Sequence, residues 1–210
     1  MSGRGRSAGD AILSRLGDRA WVGRLPDAAD VRALFARLRA LPGAEDVVIT
    51  ETRVAIYGDV ELFAAEAALV AQESSDASDL SSIAPTTHVI RVRYDGEDLV
   101  EVARTAVLTV AEVIALHTGT TYDVRMIGFL PGFAYLGSLA EALRVPRRAV
   151  PRVRVPPGAV GIAAHYTGLY PFASSGGWNL LGNAVGFVAW EPTRGATLAL
   201  GDRVRFEAAP

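Results

Sequence analysis

"GFLPGFAYLG", residues 128–137, packs three glycines, one proline and three aromatics into ten positions. A helix does not accept Gly-Phe-Leu-Pro-Gly, and a strand rarely carries so much glycine. The glycine spacing, Gly-x3-Gly-x4-Gly, matches neither the dinucleotide fingerprint nor a phosphate loop. It describes a wide turn in which glycines let backbones pass closely while aromatics plug the end of a barrel.

The surrounding sequence has the same texture. From Tyr122 onward, short runs are cut by Gly and Pro: "YDVRMIGF", "RVRV", "GAVGIAAH", "NLLGNAVGFVAW", "TLAL" and "DRVRFEA". Frequent turns between short alternating runs predict a closed or sandwiched β domain. Just before it, Asp98–Ala103 and Thr109–Leu116 read as helices. The second opens on a Thr109-x-x-Glu112 capping box and closes at Gly119.

Further upstream the pattern is mixed. "DRAWV" from Asp18 reads as a strand and "DVRALFARLRA" from Asp30 as a helix with Val31, Leu34, Phe35 and Leu38 on one face. "DVVIT" and "RVAIYG" form a hairpin around Glu51-Thr52, and Val60–Ala71 reads as a second helix. This β-α-β-β-α order predicts a small split β-α-β (ferredoxin-like) domain whose last strand is "HVIRVRY" from His88. Residues 72–87, "QESSDASDLSSIAPTT", hold five serines and three acids and little to bury, so they read as a linker. The fold class is therefore α+β, with an N-terminal domain over 1–85 (1–15 a disordered tail) and a β-barrel domain over 86–210.

Composition excludes several chemistries. The chain has no cysteine, so disulfides and thiolate sites are absent. All 21 basic residues are arginine; without lysine there is no Walker-type phosphate loop, Schiff base or Ser-Lys pair. No run of eighteen apolar residues lacks charge, and the start has no apolar core behind its arginines. The chain is expected to be cytoplasmic, with no membrane partner. A net charge of −2 and pI of about 5.9 argue against nucleic acid.

Charge is nonetheless unevenly placed. Between Glu141 and Glu191 lie 49 residues without an acid, holding Arg144, Arg147, Arg148, Arg152, Arg154 and His165. In "VPRRAVPRVRVPPG" prolines hold the backbone extended, so the arginines project at intervals and attract phosphate or carboxylate. The plainer reading is a basic strand paired with acids from the other domain. Ser174-Ser175-Gly176-Gly177 reads as a turn able to form an anion nest, with Trp178 as an aromatic wall. Ala173-x-Ser175-x-Gly177 falls one glycine short of a nucleophile elbow. His88, His117 and His165 are too scattered for a metal site, and His117 ends a helix where a cation would complement the dipole. No catalytic residue can be named.

These segments, "GFLPGFAYLGSL", "VPRRAVPRVRVPPGAVGIA" and "TGLYPFASSGGWNLLG", with "LGDRAWV" and "RVRYDGEDLVEVA" upstream, resemble the family containing the 5-oxoprolinase B-subunit and the sporulation kinase inhibitor. That family has also been called allophanate hydrolase subunit 1. The resemblance implies an N-terminal α/β domain followed by a cyclophilin-like barrel. It also implies a C-subunit partner and, with a third subunit, ATP-dependent opening of the lactam 5-oxoproline to glutamate. Departures from the family pattern fall at Tyr166, Ser175 and Gly182-Asn183-Ala184. Amidase-type allophanate hydrolysis is excluded, because that Ser-Ser-Lys chemistry has no lysine here.

Two further roles accompany the resemblance: a protein-binding inhibitor of a sensor histidine kinase, and a carboxyltransferase-like component of a biotin-dependent enzyme. In the enzyme reading, no general base stands out, so the chain is expected to be a non-autonomous subunit. The expected groove has Phe129, Pro131, Phe133 and Tyr135 as one wall and Arg147, Arg148 and Arg152 as the charged side. Ser175, Gly176, Gly177 and Trp178 form its floor, completed by Pro157, His165 and Tyr170. Arg148 is expected to be an exposed cation with little part in stability, and Phe133 a buried ring.

Overall fold

In the computed structural model, which describes residues 12–26, 30–70 and 85–210, the first compact unit is Met1–Ala84. Its strands are β1 (Leu13–Arg15), β2 (Ala20–Arg24), β3 (Ala44–Ile49) and β4 (Arg53–Gly58). They lie in the antiparallel order β1-β2-β4-β3. Helix α1 (Val31–Arg39) joins β2 to β3, and α2 (Leu62–Val70) follows β4. Asp30 starts α1 because its carboxylate accepts from the amides of Arg32 and Ala33 at 3.0 and 3.1 Å, two donors that a helix start would otherwise leave unpaired. Leu34 and Leu38, one turn apart, are buried, as are Val54, Ile56, Ala65 and Leu69.

The expected last strand is not in this sheet. Thr87–Arg93 belongs to the second unit, and the edge beside β2 is taken by Leu13–Arg15, part of the segment read as a tail. Glu66 holds that edge: its carboxylate accepts from the amides of Ile12 and Leu13 at 2.9 and 3.3 Å. Residues 1–11 of the expected tail and 71–84 of the expected linker lie outside the described residues.

The second compact unit is Pro85–Pro210. In chain order it holds β5 (Thr87–Arg93), α3 (Leu99–Thr105), α4 (Val110–Thr118), β6 (Thr121–Ile127), β7 (Ala134–Gly137), β8 (Arg152–Val155), β9 (Ala159–Ala163), β10 (Tyr166–Leu169), β11 (Ser174–Gly176), β12 (Asn179–Ala184), β13 (Trp190–Glu191), β14 (Gly195–Ala196) and β15 (Arg203–Ala208). Seven strands close a barrel in the order β10-β7-β6-β15-β5-β12-β9. The β5–β15 pair is parallel and the other barrel pairs are antiparallel. Closure removes the unpaired edges that an open sheet would present.

Alternation fills the interior. Ile90 and Val92, Tyr122 and Val124, and Val204 and Phe206 are buried, while Arg91 and Arg93, alternating with Ile90 and Val92 along β5, face out. Leu99, Val102, Ala103 and Val113 of α3 and α4 join the same core. The capping box at α4 forms as its spacing predicts: the Glu112 amide donates to the Thr109 hydroxyl, the Thr109 amide donates to the Glu112 carboxylate, and Gly119 is the C-cap. Two sequence expectations change here. "TLAL" is not a strand, and the second half of "GFLPGFAYLG" is one: Ala134–Gly137 lies between β6 and β10. Ala134 and Leu136 have barrel-interior burial that outweighs the weak strand preference of glycine.

His117, in the last turn of α4, is fully buried rather than a dipole-complementing cation. Its ring stacks on Phe206 at 4.5 Å between centroids. The Thr167 hydroxyl donates to the Gly161 carbonyl at 3.1 Å, so its oxygen accepts from His117 Nε2 at 2.8 Å. His117 Nδ1 then accepts from the Tyr94 hydroxyl at 2.7 Å. Both nitrogens are satisfied in the neutral ring, and a proton added at Nδ1 would face another donor.

Burial lowers the His117 pKa from 6.5 to about 3. The unfolded chain takes up this proton near 6.5 and the folded chain only near 3, so stability falls as pH drops below 6.5. Between about pH 7 and about pH 4.5 the expected loss is about 3 kcal/mol. Thermal melts across that range should show the midpoint falling, and His117→Gln should flatten the curve there despite a lower starting midpoint. A wild-type midpoint that stays constant across the range contradicts the buried neutral ring.

Candidate functional site

The turn at residues 128–132 is closed by two backbone bonds, Gly128 N–H to the Phe133 carbonyl at 3.1 Å and Phe133 N–H to the Leu130 carbonyl at 3.0 Å. It brings Phe133 underneath a set of rings. Tyr135, Tyr170 and Trp178 stand edge-on to Phe133, with centroids 5.0, 5.2 and 5.3 Å away, the geometry that aromatic quadrupoles favour. Gly176 lies against this cluster: a Cβ there would sit 2.3 Å from the Tyr170 hydroxyl oxygen, so a side chain cannot be placed without moving the ring.

A cavity of about 210 Å³ opens over the cluster, lined by Phe129, Phe133, Tyr135, Arg147, Pro151, Tyr170, Ser175, Gly176, Gly177 and Trp178. Nine of the residues expected from sequence meet here; Pro151 is the addition. Pro131 and Pro157 are exposed in turns outside the lining, and His165 is exposed in the β9–β10 turn. The Ser-Gly-Gly stretch is not a turn. Ser174–Gly176 is strand β11, paired with β8 through a bulge, which removes the expected nest of converging amides. Burial raises the pKa of the Tyr135 and Tyr170 hydroxyls, and the Arg147 guanidinium opposes the rise at both. These phenols stay protonated near neutrality and can donate hydrogen bonds.

Arg148 and Arg152 do not stand free in the groove. Both donate to one oxygen of Asp98, from Nη1 at 2.6 Å and Nη2 at 2.7 Å, and Arg152 also pairs with Glu97 at 3.1 Å. The other Asp98 oxygen accepts from the Leu180 amide at 2.7 Å. The counter-charges thus come from the same unit. Asp98 is 3% exposed; burial alone would push its carboxyl pKa up. The Arg152 hydrogen bond, the Leu180 amide and the two guanidinium charges more than offset this and hold it below the usual carboxylate value. Arg144 donates from Nε to the Leu139 carbonyl at 3.1 Å.

Asp98 carries a weak sequence signal. It occupies the N-cap of α3, where an Asp normally caps, yet its side chain makes no capping bond because the arginines claim it. Among the departures from the family pattern, Ser175 lines the cavity. Tyr166 stands edge-on to Tyr135 at 5.7 Å. Asn183 is elsewhere, donating to Asp95 at 3.2 Å. Across the 145–150 segment a shallower depression of about 380 Å³ shares Arg147 and includes Glu101, Thr105 and Val150. Among the described residues no cluster of three or more His, Asp or Glu is placed to hold a metal ion.

Comparison with known proteins places this geometry. The family described as carboxyltransferase domain, subdomain C and D, matches residues 11–200. A 113-residue stretch, 53% of the chain and 51% of the relative, is 47% identical to the B-subunit of 5-oxoprolinase from Escherichia coli O157:H7; the match thus spans about half of that protein. The crystal structure of TTHA0988 superposes on 91% of the chain with TM-score 0.76 and 36% identity, covering 40% of the longer TTHA0988 chain. The conserved uncharacterized protein PH0987 from Pyrococcus horikoshii superposes on 94% of the chain and 97% of its own, with TM-score 0.57 and 28% identity.

The Asp98 cluster generates a stability prediction opposite to that of an exposed arginine. Asp98→Ala leaves two guanidinium groups facing each other and the Leu180 amide unpaired, and should cost about 3 kcal/mol or more. Arg152→Ala, from a side chain 13% exposed, should cost more than Arg148→Ala, from one 36% exposed. Urea denaturation of the three variants checks this order. Equal midpoints for Arg148→Ala and wild type would show that Arg148 is the free cation of the sequence expectation.

Proposed function

From the premise that the chain belongs to the family of the carboxyltransferase domain, subdomain C and D, we propose that it is the B-subunit of an ATP-dependent 5-oxoprolinase. It would act with the C-subunit and a third subunit to open 5-oxoproline to glutamate. The observation that carries the reading is the cavity over Phe133, where five aromatic side chains and one guanidinium enclose a small volume. The E. coli relative's name favours this role over the kinase-inhibitor and biotin-enzyme alternatives. The finer structural reading goes with it: a split β-α-β first domain whose edge strand comes from β1, a cyclophilin-like barrel, a boundary near residue 85 and a cytoplasmic location.

Chemistry supports a shared site. Hydrolysis of a lactam needs an activated carbonyl, a nucleophile and proton transfer. The cavity lining offers a cation, two phenols, the Ser175 hydroxyl and backbone groups, but no carboxylate or imidazole to activate that hydroxyl as a nucleophile. Its residues can bind and orient a ligand and exclude water from one side of it, while a base and nucleophile would come from other members of the complex. Nor does the cavity fit ATP. About 210 Å³ is below the roughly 300–1,000 Å³ that encloses drug-sized ligands.

The test is reconstitution. Alone, the chain should show neither lactam hydrolysis nor ATP hydrolysis above background. Co-expressed with the C-subunit and the third subunit, it should form a complex whose ATP consumption rises with added 5-oxoproline. An assembled complex indifferent to 5-oxoproline rejects the proposal. Turnover by the isolated chain at an ordinary enzymatic rate rejects the dependence on partners.

A further inference from the structure

The geometry points to Arg147 and Phe129 as the residues that select a small ring bearing a carboxylate for the aromatic cavity, with nucleotide bound elsewhere in the assembly. This assignment rests on the 5-oxoprolinase reading and names the ligand class of its cavity.

Charge is the first argument. Among the arginines of the acid-free run, Arg144, Arg148 and Arg152 donate to partners within the unit. Arg147 lines the cavity with no ion pair or hydrogen bond among the described residues. One unpaired guanidinium beside two protonated phenols suits a monoanion, which it can hold by paired charge-assisted hydrogen bonds. A triphosphate carries more charge than this lining balances, and the volume is too small for a nucleotide to be enclosed. The walls are ring edges and faces, which pack well against a flat ring.

Phe129 is the second argument. Its φ is 72°, in the left-handed region that residues with side chains rarely adopt. The residue is 60% exposed, so burial returns little for that strain. The ring nevertheless stands edge-on to Phe133 and Tyr170, at 5.5 and 6.5 Å, at the cavity mouth. Glycine would occupy this backbone conformation without strain. An aromatic held there against local preference is explained by contact with whatever enters the cavity.

The experiment titrates the full-length chain with four probes while following the amide signals of Gly176 and Gly177 and the indole signal of Trp178 by NMR. The probes are 5-oxoproline, 2-pyrrolidinone (the ring without the carboxylate), acetate (the carboxylate without the ring) and ATP. 5-Oxoproline should shift all three signals and bind at least tenfold more tightly than either fragment. Arg147→Ala should weaken 5-oxoproline about tenfold to a hundredfold, the range for a lost charged hydrogen bond, and leave 2-pyrrolidinone unchanged. Phe129→Gly should weaken 5-oxoproline with a thermal midpoint equal to or above wild type.

Three results overturn the inference: ATP shifting these signals through Arg147, 5-oxoproline leaving them in place, or Arg147→Ala weakening both ring ligands alike. The assignment to the 5-oxoprolinase complex fails separately. If the assembled complex keeps its 5-oxoproline-dependent ATP consumption and KM with Arg147→Ala, the cavity assignment falls and the role in the complex stands. If the complex lacks that activity while the titrations hold, the cavity assignment stands and the role in the complex falls.

Discussion

One buried carboxylate, Asp98, organises the second unit around the cavity. It holds Arg148 and Arg152 on one oxygen and the Leu180 amide on the other, so it ties the start of α3, the 146–152 segment and β12 together. A buried ion pair is weak evidence for net stability, because desolvating three charges offsets much of their attraction. Its effect here is positional. With Arg148 and Arg152 anchored, and the Arg148 amide bonded to the Gly177 carbonyl at 2.8 Å, Arg147 is left at the cavity and Pro151 in its lining.

The aromatic cluster depends on that anchoring and on small residues. Phe133, Tyr170 and Trp178 are buried and stand edge-on at centroid distances of 5.2 to 5.3 Å from Phe133, and Gly176 lets the Tyr170 hydroxyl approach the β11 backbone. Phe133→Ala would therefore remove a fully buried ring, whereas Phe129 contributes little burial to the fold. Two phenylalanines four residues apart thus have different physical roles: one supports the cavity and the other bounds its mouth.

The barrel core has its own polar element. The chain of hydrogen bonds from Tyr94 through His117 and Thr167 to Gly161 connects the end of β5, α4, β10 and β9. Each donor and acceptor along it is used, the condition under which a buried polar network specifies one arrangement of a core instead of weakening it.

Local signals were legible in the sequence and distant pairings were not. The Thr109–Glu112 capping box, the Gly119 stop, the Glu51-Thr52 hairpin and the barrel texture after Tyr122 depend on residues close in the chain, where spacing fixes geometry. Most of the cavity lining was legible too, because aromatics and glycines concentrated at 128–137 and 168–178. The sequence alone could not show that Arg148 and Arg152 are committed to Asp98, since those partners lie 50 and 54 residues apart and only barrel closure brings them together. Nor could it show that Leu13–Arg15 supplies a sheet edge, or that Ala134–Gly137 and Ser174–Gly176 are strands. A three- or four-residue strand has too few residues for periodicity to register, and its conformation is set by the strands it pairs with. Tertiary structure decided that Arg147 is the arginine left at the cavity, because Arg148 and Arg152 reach Asp98 and Arg144 reaches the Leu139 carbonyl.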